Sequence, residues 1–128
     1  MVSERAGLTN LHVQQTLLGE AIAAGSVGFL VWDDERRYVA ANAAACELLG
    51  CSLEQIIGAR VGERTERGAE VVAHVIRQDR SRGRLTAERF DGSGTIEVEY
   101  VTFATRSAGL PYMASLIWPA GEDQTAEA

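Results

Sequence analysis

Two histidines and two cysteines are the side chains in this sequence best suited to metal or redox chemistry. His74 is the strongest candidate, because an imidazole can bind a haem iron. It falls in a predicted helix whose apolar stripe consists of Val72, Val75 and Ile76. Since a helix advances about 100° per residue, His74 points well away from that stripe. We therefore expect His74, like His12 on an earlier helix, to face solvent.

The two cysteines, Cys46 and Cys51, are five residues apart across a predicted helix end. This spacing matches no common metal site. A disulfide between them is an alternative, but no basic segment followed by an apolar run marks a secretory signal. We predict reduced cysteines, with Cys46 packed as a small core residue.

Catalytic chemistry has little support in the sequence. It has no Ser–His–Asp pattern, no cluster of metal ligands and no phosphate-binding glycine loop. The adjacent Asp33 and Asp34 fall in a predicted tight turn, where aspartate forms hydrogen bonds with the backbone. We therefore predict that the protein is not an enzyme and binds no metal through these residues.

The composition indicates one acidic globular domain. The chain has 128 residues, of which 46% are hydrophobic, and a formal net charge of −6. An acidic surface argues against nucleic acids and anionic membranes as partners. No apolar run is long enough to span a membrane. We expect a cytoplasmic protein with no nucleic-acid or membrane partner.

A helix is predicted from Leu8 to Ala24, where seam positions alternate at intervals of three and four residues. The seam consists of Leu8, Leu11, Gln15, Leu18 and Ile22. In one interpretation, the seam pairs with a second subunit and Gln15 fixes the register. In the other, the helix packs on its own domain. Either way it needs a partner surface, because so short a helix is not stable alone.

The next stretch predicts two strands and two short helices. Gly28–Trp32 is apolar and rich in β-forming residues, and Arg37–Ala41 follows after a polar turn. Asn42 and Ser52 are predicted N-caps of the two helices, and a glutamine three residues after Ser52 completes a capping box. Gly50 is predicted to end the first helix in the left-handed conformation.

The last part predicts a helix from Ala69 to about Arg80, after which Gly83 releases the chain into three strands. Glycine-containing turns separate these strands. The predicted strands are Arg84–Phe90, Thr95–Thr105 and Leu110–Trp118. The simplest packing is an α+β fold in which a five-stranded antiparallel sheet carries helices on one face.

The segment from Gly28 to Gly58 resembles the PAS family of sensory domains. The family pattern N-x-A-x-x-x-L-L-G matches Asn42–Gly50, and S-x-E-E-L-I-G is similar to Ser52–Gly58. With less specific matches, the resemblance continues to about Pro119. It implies the sheet order 2-1-5-4-3 and a role in signal transduction, acting as a homodimer on a signalling protein or effector domain.

The predicted organisation has three parts: an N-terminal amphipathic dimerisation helix at 1–25, a PAS domain at 26–119 and a disordered acidic tail at 120–128. PAS domains commonly end their last strand with D-I-T, which couples them to a following helix. The corresponding residues, Leu116–Pro119, lack that triplet, and Pro119 disfavours helical continuation. We therefore expect either an input domain cut out of a longer protein or a stand-alone PAS protein whose output is protein–protein contact.

A ligand would occupy a cavity between the inner sheet face and the helices. The candidate lining residues are Leu30, Trp32, Val72, Val75, Ile76, Val98, Tyr100, Thr102 and Ser115. The alternatives are a small apolar ligand and a fully packed core, because alternating apolar strand residues are usually core positions.

The resemblance also implies two possible cofactors, haem ligated by His74 and a non-covalent flavin. The region of residues 59–68 lacks the cysteine that forms the flavin adduct in light-sensing LOV domains. No cysteine follows Cys51, so the chromophore-bearing cysteine of photoactive yellow protein has no counterpart. Our primary expectation is that the domain has no cofactor, with haem and flavin as alternatives.

Overall fold

The computed structural model describes residues 7–64 and 80–121. A 3-10 turn at Gly7–Thr9 precedes the helices and strands. The helices are α1 (Leu11–Ala24), α2 (Ala43–Leu49) and α3 (Leu53–Ile56), and the strands are β1 (Gly28–Trp32), β2 (Tyr38–Ala41), β3 (Arg80–Glu88), β4 (Thr95–Ser107) and β5 (Leu110–Pro119).

The five strands form one antiparallel sheet in the order β2-β1-β5-β4-β3. This confirms the predicted fold class and strand order. Most of the helix predicted after Gly68, including His74, lies outside the described residues, as does the acidic tail beyond Gly121.

The main core lies where α2 and α3 pack against β1, β3 and β5. Its buried members are Leu30, Ala45, Leu49, Ile56, Ala87 and Ile117. Gly28 allows α2 to approach the sheet closely, because a Cβ atom there would lie 2.7 Å from Ile117 Cγ1 and 3.1 Å from Ala45 Cα. The close approach is possible because Gly28 on β1 and Ala45 on α2 are both small.

The predicted caps around α2 and α3 are confirmed. The side-chain oxygen of Asn42 accepts a hydrogen bond from the Ala45 N–H at 3.0 Å. Ser52 and Gln55 form the reciprocal capping box of α3. Gly50 ends α2 with φ 70° and ψ 40°, a conformation that favours glycine.

Strand β3 begins at Arg80, four residues before the predicted start. The prediction that a helix reaches about Arg80 and that Gly83 precedes the strand is therefore wrong. Gly83 pairs with Tyr100 within the β3–β4 ladder, and a Cβ atom at Gly83 would lie 3.0 Å from the Tyr100 hydroxyl. The glycine leaves room for the tyrosine across the strand, and pairing with β4 outweighs the local preference of this segment.

Strand β4 extends beyond its predicted end at Thr105 and reaches Ser107. A two-residue turn then connects it to β5. Ala108 and Gly109 both have positive φ, at 52° and 81°, as a type I′ hairpin turn requires. The turn is therefore shorter than the predicted Arg106–Gly109 segment.

Helix α1 lies at the margin of the domain. It begins at Leu11 because the Asn10 side chain accepts hydrogen bonds from the N–H groups of His12 and Val13. Leu8 therefore precedes the helix in the 3-10 turn, and the predicted start at Leu8 is three residues early. None of the residues of α1 is buried.

Candidate functional site

A buried hydrogen-bonded trio occupies the centre of the sheet. The Ser115 hydroxyl accepts from Trp32 Nε1–H at 3.2 Å, and it shares a hydrogen bond of 2.8 Å with the Thr102 hydroxyl. Thr102 and Ser115 are direct partners across β4 and β5. Trp32 is only 2% exposed, so each polar group depends on the others for its hydrogen bonding.

The structure gathers most of the predicted cavity residues into the interior. Leu30, Trp32, Val98, Thr102 and Ser115 are buried. Tyr100 is half-buried and packs against both the main core and Trp32. The remaining candidates, Val72, Val75 and Ile76, lie outside the described residues. That these positions line a ligand cavity stays a prediction.

A cavity of about 440 Å³ opens at the end of the sheet where the β1–β2 turn meets the β4–β5 hairpin. It combines aromatic and apolar side chains with ionic ones. Its lining is Trp32, Asp33, Asp34, Arg36, Ala104, Thr105, Arg106, Pro111, Tyr112 and Met113. This volume suits a small molecule, and Trp32 is the residue that it shares with the predicted lining.

The β1–β2 turn holds its part of this cavity by backbone hydrogen bonds. The Asp33 carboxylate accepts from the N–H groups of Glu35 at 2.9 Å and Arg37 at 3.1 Å. Arg36 adopts a positive φ of 64°, an uncommon conformation for a residue with a side chain. The prediction that Asp33 serves the turn is confirmed.

The outer face of the sheet, on the other side from the Trp32–Thr102–Ser115 trio, carries an apolar depression of about 460 Å³. It crosses four strands and is lined by Phe29, Val31, Val39, Ala40, Phe103, Thr105, Ser107, Tyr112 and Ala114. Helix α1 makes its main contacts with α2 and the preceding 3-10 turn rather than with this face. The outer face and the apolar side of α1 are therefore both accessible in the single chain.

Asn42 joins α1 to the rest of the domain. Its amide nitrogen donates to the carbonyl oxygens of Ile22 at 2.6 Å and Val27 at 3.0 Å. Its oxygen accepts from the N–H groups of Phe29 at 2.9 Å and Ala45 at 3.0 Å. One side chain thus connects the end of α1, the first strand and the start of α2. The sequence predicts the cap but not the connections to α1 and β1.

The predicted reactive side chains are separate from the Trp32–Thr102–Ser115 trio. Cys46 and Cys51 are half-buried free thiols at the end of α2, and His12 is exposed on α1. Burial raises the pKa of Cys51 to about 11, with a further contribution from Cys46. Burial also raises the pKa of Tyr38 to about 12, with a smaller contribution from Cys51. Across residues 7–64 and 80–121, no group of three or more acidic, histidine or cysteine side chains could hold a metal ion.

A family model described as the PAS fold matches residues 23–103. The chain belongs to the PAS family. The matched region covers β1 to most of β4 and includes Asn42, whereas Ile22 and β5 lie outside it. Within the described parts of the chain, no helix is long and apolar enough to cross a membrane.

Solved PAS structures share this fold at low sequence identity. A PAS domain from a two-component sensor histidine kinase is 11% identical, with a TM-score of 0.73, and the match covers 87% of this chain and all of that one. The PAS domain of an HTR-like protein from Haloarcula marismortui is 17% identical, with a TM-score of 0.73 and coverage of 91% and 99%.

An RNA-binding light-oxygen-voltage receptor is 19% identical, with a TM-score of 0.76, and the match covers 94% of this chain and 38% of that one. At these identities the similarities establish the fold alone. Comparison with curated proteins gives no match.

Proposed function

We propose that this chain is a non-catalytic sensory PAS module that homodimerises through α1 and transmits a signal from its sheet to a partner protein. The observation that carries the proposal is the contrast between the attached C-terminal end of α1 and its exposed apolar side chains. Its C-terminal end is attached to the domain through Asn42, while its apolar side chains remain exposed. Leu11 is 71% exposed and Leu18 is 60% exposed.

The exposed residues of α1 repeat in the pattern of a two-helix seam. Leu11, Gln15, Leu18 and Ile22 follow one another at intervals of four, three and four residues. Leu8 precedes the helix, so the continuous seam begins at Leu11. Burying one leucine side chain contributes about 1.5–3 kcal/mol. A second copy of the same helix offers each leucine an equivalent partner, and Gln15 can fix the register.

The Asn42 connection supports a route between the sheet and this helix. The same side chain bonds to β1, to the start of α2 and to the end of α1. A change in the position of β1 therefore alters the hydrogen bonds that hold α1. The signal would arise on the inner face of the sheet, with a small apolar ligand beside Trp32 and Tyr100 as our first candidate.

A second candidate function is a dimerisation module with a filled core. It is favoured by the mutual hydrogen bonding of Trp32, Thr102 and Ser115. Among the described residues, no buried side-chain nitrogen or oxygen lacks a hydrogen-bond partner. The polar groups of such a core have hydrogen-bond partners without a ligand. Native mass spectrometry of the purified chain separates the two: a retained small molecule favours the sensor, and the bare chain mass favours the filled core.

A haem or flavin sensor is the remaining alternative. The candidate haem ligand of this alternative, His74, is outside the described residues, and His12 is exposed on α1. The flavin alternative is non-covalent, so it does not depend on either cysteine. A visible absorption spectrum of the purified protein tests both cofactors, and we expect no Soret or flavin band.

The dimerisation proposal is tested by placing charge in the seam. We expect Leu11→Glu and Leu18→Glu each to weaken the dimer by at least about tenfold, because a buried unpaired carboxylate is strongly unfavourable. Sedimentation velocity measures the change in association, and circular dichroism checks that the variants stay folded.

Thr16→Glu is the matched control. Thr16 is exposed on α1 but lies outside the seam, so the same charge there should leave the dimer intact. A dimer that survives both leucine substitutions would refute the seam, and equal weakening by Thr16→Glu would show that charge alone is responsible.

A further inference from the structure

The two cysteines occupy the paired positions of a specific helix ending. The Cys51 N–H donates to the Cys46 carbonyl oxygen at 3.0 Å, and the Gly50 N–H donates to the Glu47 carbonyl oxygen at 3.3 Å. With Gly50 in the left-handed conformation, this is the Schellman motif. The residues joined by its outer hydrogen bond characteristically bring their side chains into contact. Here those two residues are Cys46 and Cys51.

The surroundings hold both side chains in place. Cys46 and Cys51 are half-buried and pack against the main core. Cys46 also contributes to the raised pKa of Cys51, as expected for neighbouring thiols. Tyr38 from β2 and Arg64 from the turn after α3 are the other titratable groups that act on or respond to Cys51. The pair is thus assembled by local backbone geometry and partly covered by neighbouring elements.

We propose that Cys46 and Cys51 form an intramolecular disulfide when the domain meets a small-molecule disulfide such as oxidised glutathione. This makes the end of α2 a site of reversible oxidation, independent of the proposed ligand cavity and of the dimer seam. The reaction uses the existing contact between the two residues and needs no partner chain.

The oxidation proceeds by two thiol–disulfide exchanges. One cysteine thiolate attacks a sulfur of the small disulfide, forms a mixed disulfide and releases one small thiolate. The other cysteine then attacks its neighbour's sulfur, closes the protein disulfide and releases the second small thiolate. The two protons lost by the cysteines pass to the released thiolates. In sum, two protein thiols are oxidised and one small disulfide is reduced to two thiols.

The environment of Cys51 sets how the rate of its attack depends on pH. Burial and Cys46 raise its pKa to about 11, whereas Arg64 acts in the opposite direction. Cys51 is therefore protonated at neutral pH, and only the thiolate attacks. We expect attack by Cys51 to be slow at pH 7 and to accelerate about tenfold per pH unit while its thiolate is the minor form.

The test is intact-mass measurement of the reduced full chain after incubation with oxidised glutathione at mildly alkaline pH. We expect the main product to have lost the mass of two hydrogen atoms and to resist alkylation until it is reduced. We also expect its Tm to rise by roughly 5 °C, because the cross-link restricts the unfolded chain. Cys46→Ser and Cys51→Ser should instead retain one glutathione each.

A control variant with two cysteines tests whether disulfide closure depends on the position of Cys46 on the helix or only on two cysteines being close in sequence. The variant Cys46→Ala/Glu47→Cys keeps two thiols but turns one of them about 100° around the helix. Glu47 is exposed, so we expect this variant to retain glutathione rather than close. The proposal is overturned if the wild-type chain accumulates stable glutathione adducts or intermolecular disulfides, or if the control closes at the wild-type rate.

Discussion

Helix α1 and the segment from Asn42 to Gly58 contain similar helical signals but have opposite surroundings. Both begin with an asparagine that caps a helix, Asn10 in one case and Asn42 in the other. The α1 side chains are exposed apart from the half-buried Val13, whereas the Asn42–Gly58 segment contributes Ala45, Leu49 and Ile56 to the buried core. The comparison shows that capping fixes where a helix begins, while packing decides how firmly it is held.

The largest expected change in stability comes from removing the Asn42 cap, compared with removing the Asn10 cap of α1. Asn42→Ala should lower the free energy of unfolding by about 2–3 kcal/mol, because it removes a cap and leaves the Phe29 N–H and two carbonyl groups without their partner. Asn10→Ala removes an exposed cap and should cost about 1 kcal/mol or less. Urea unfolding measures both changes, and equal losses would contradict the contrast between the regions.

A pair of glycine substitutions sharpens the same contrast. Gly28→Ala should destabilise the domain by about 1–3 kcal/mol, since the added methyl group would overlap Ile117 and Ala45. Gly19→Ala in α1 meets no atom within 4 Å and should favour the helix by up to about 1 kcal/mol. Thermal unfolding followed by circular dichroism distinguishes the two. Destabilisation by Gly19→Ala would mean that α1 packs closely against another surface at that position.

A smaller effect on stability is expected at alkaline pH, and it arises from Cys51 in the Asn42–Gly58 segment. Burial raises the pKa of Cys51 from its ordinary value of 9.0 to about 11. The unfolded chain therefore loses this proton at lower pH than the folded chain does. The resulting stability is complete below about pH 9 and is lost as pH rises through about 11.

Cys51→Ser should accordingly flatten the decline in stability between those two pH values. The comparison is made by urea unfolding under reducing conditions, so that disulfide formation does not contribute. Tyr38, whose pKa is raised to about 12 mainly by burial, should extend the decline in both proteins. An unchanged pH profile in Cys51→Ser would show that the thiol does not contribute.

The sequence predicted the elements whose determinants are local. The caps at Asn42 and Ser52 and the left-handed Gly50 depend on residues within a few positions of each other, and each was found where the pattern placed it. The N-cap at Asn10 was missed because the apolar spacing beginning at Leu8 suggested an earlier start. Leu8 instead lies in a 3-10 turn, so its three-residue spacing from Leu11 does not place both leucines in one helix.

The start of β3 and the end-of-sheet cavity could not be predicted in the same way. Gly83 has the sequence properties of a helix terminator, and only its pairing with Tyr100 shows that it belongs to a strand. The cavity joins the turn after Trp32 to the hairpin before Met113. The alternation of β4 did indicate that Thr102 faces inward, but its bond to Ser115 depends on the register of two separate strands.

Amide hydrogen exchange at several protein concentrations tests most directly whether α1 is stabilised by a second copy of itself. We expect protection of the α1 amides to rise in step with the dimer fraction, while protection of the Asn42–Gly58 amides stays constant. Protection of α1 that is equal at all concentrations, across a range in which sedimentation shows the dimer dissociating, would contradict it.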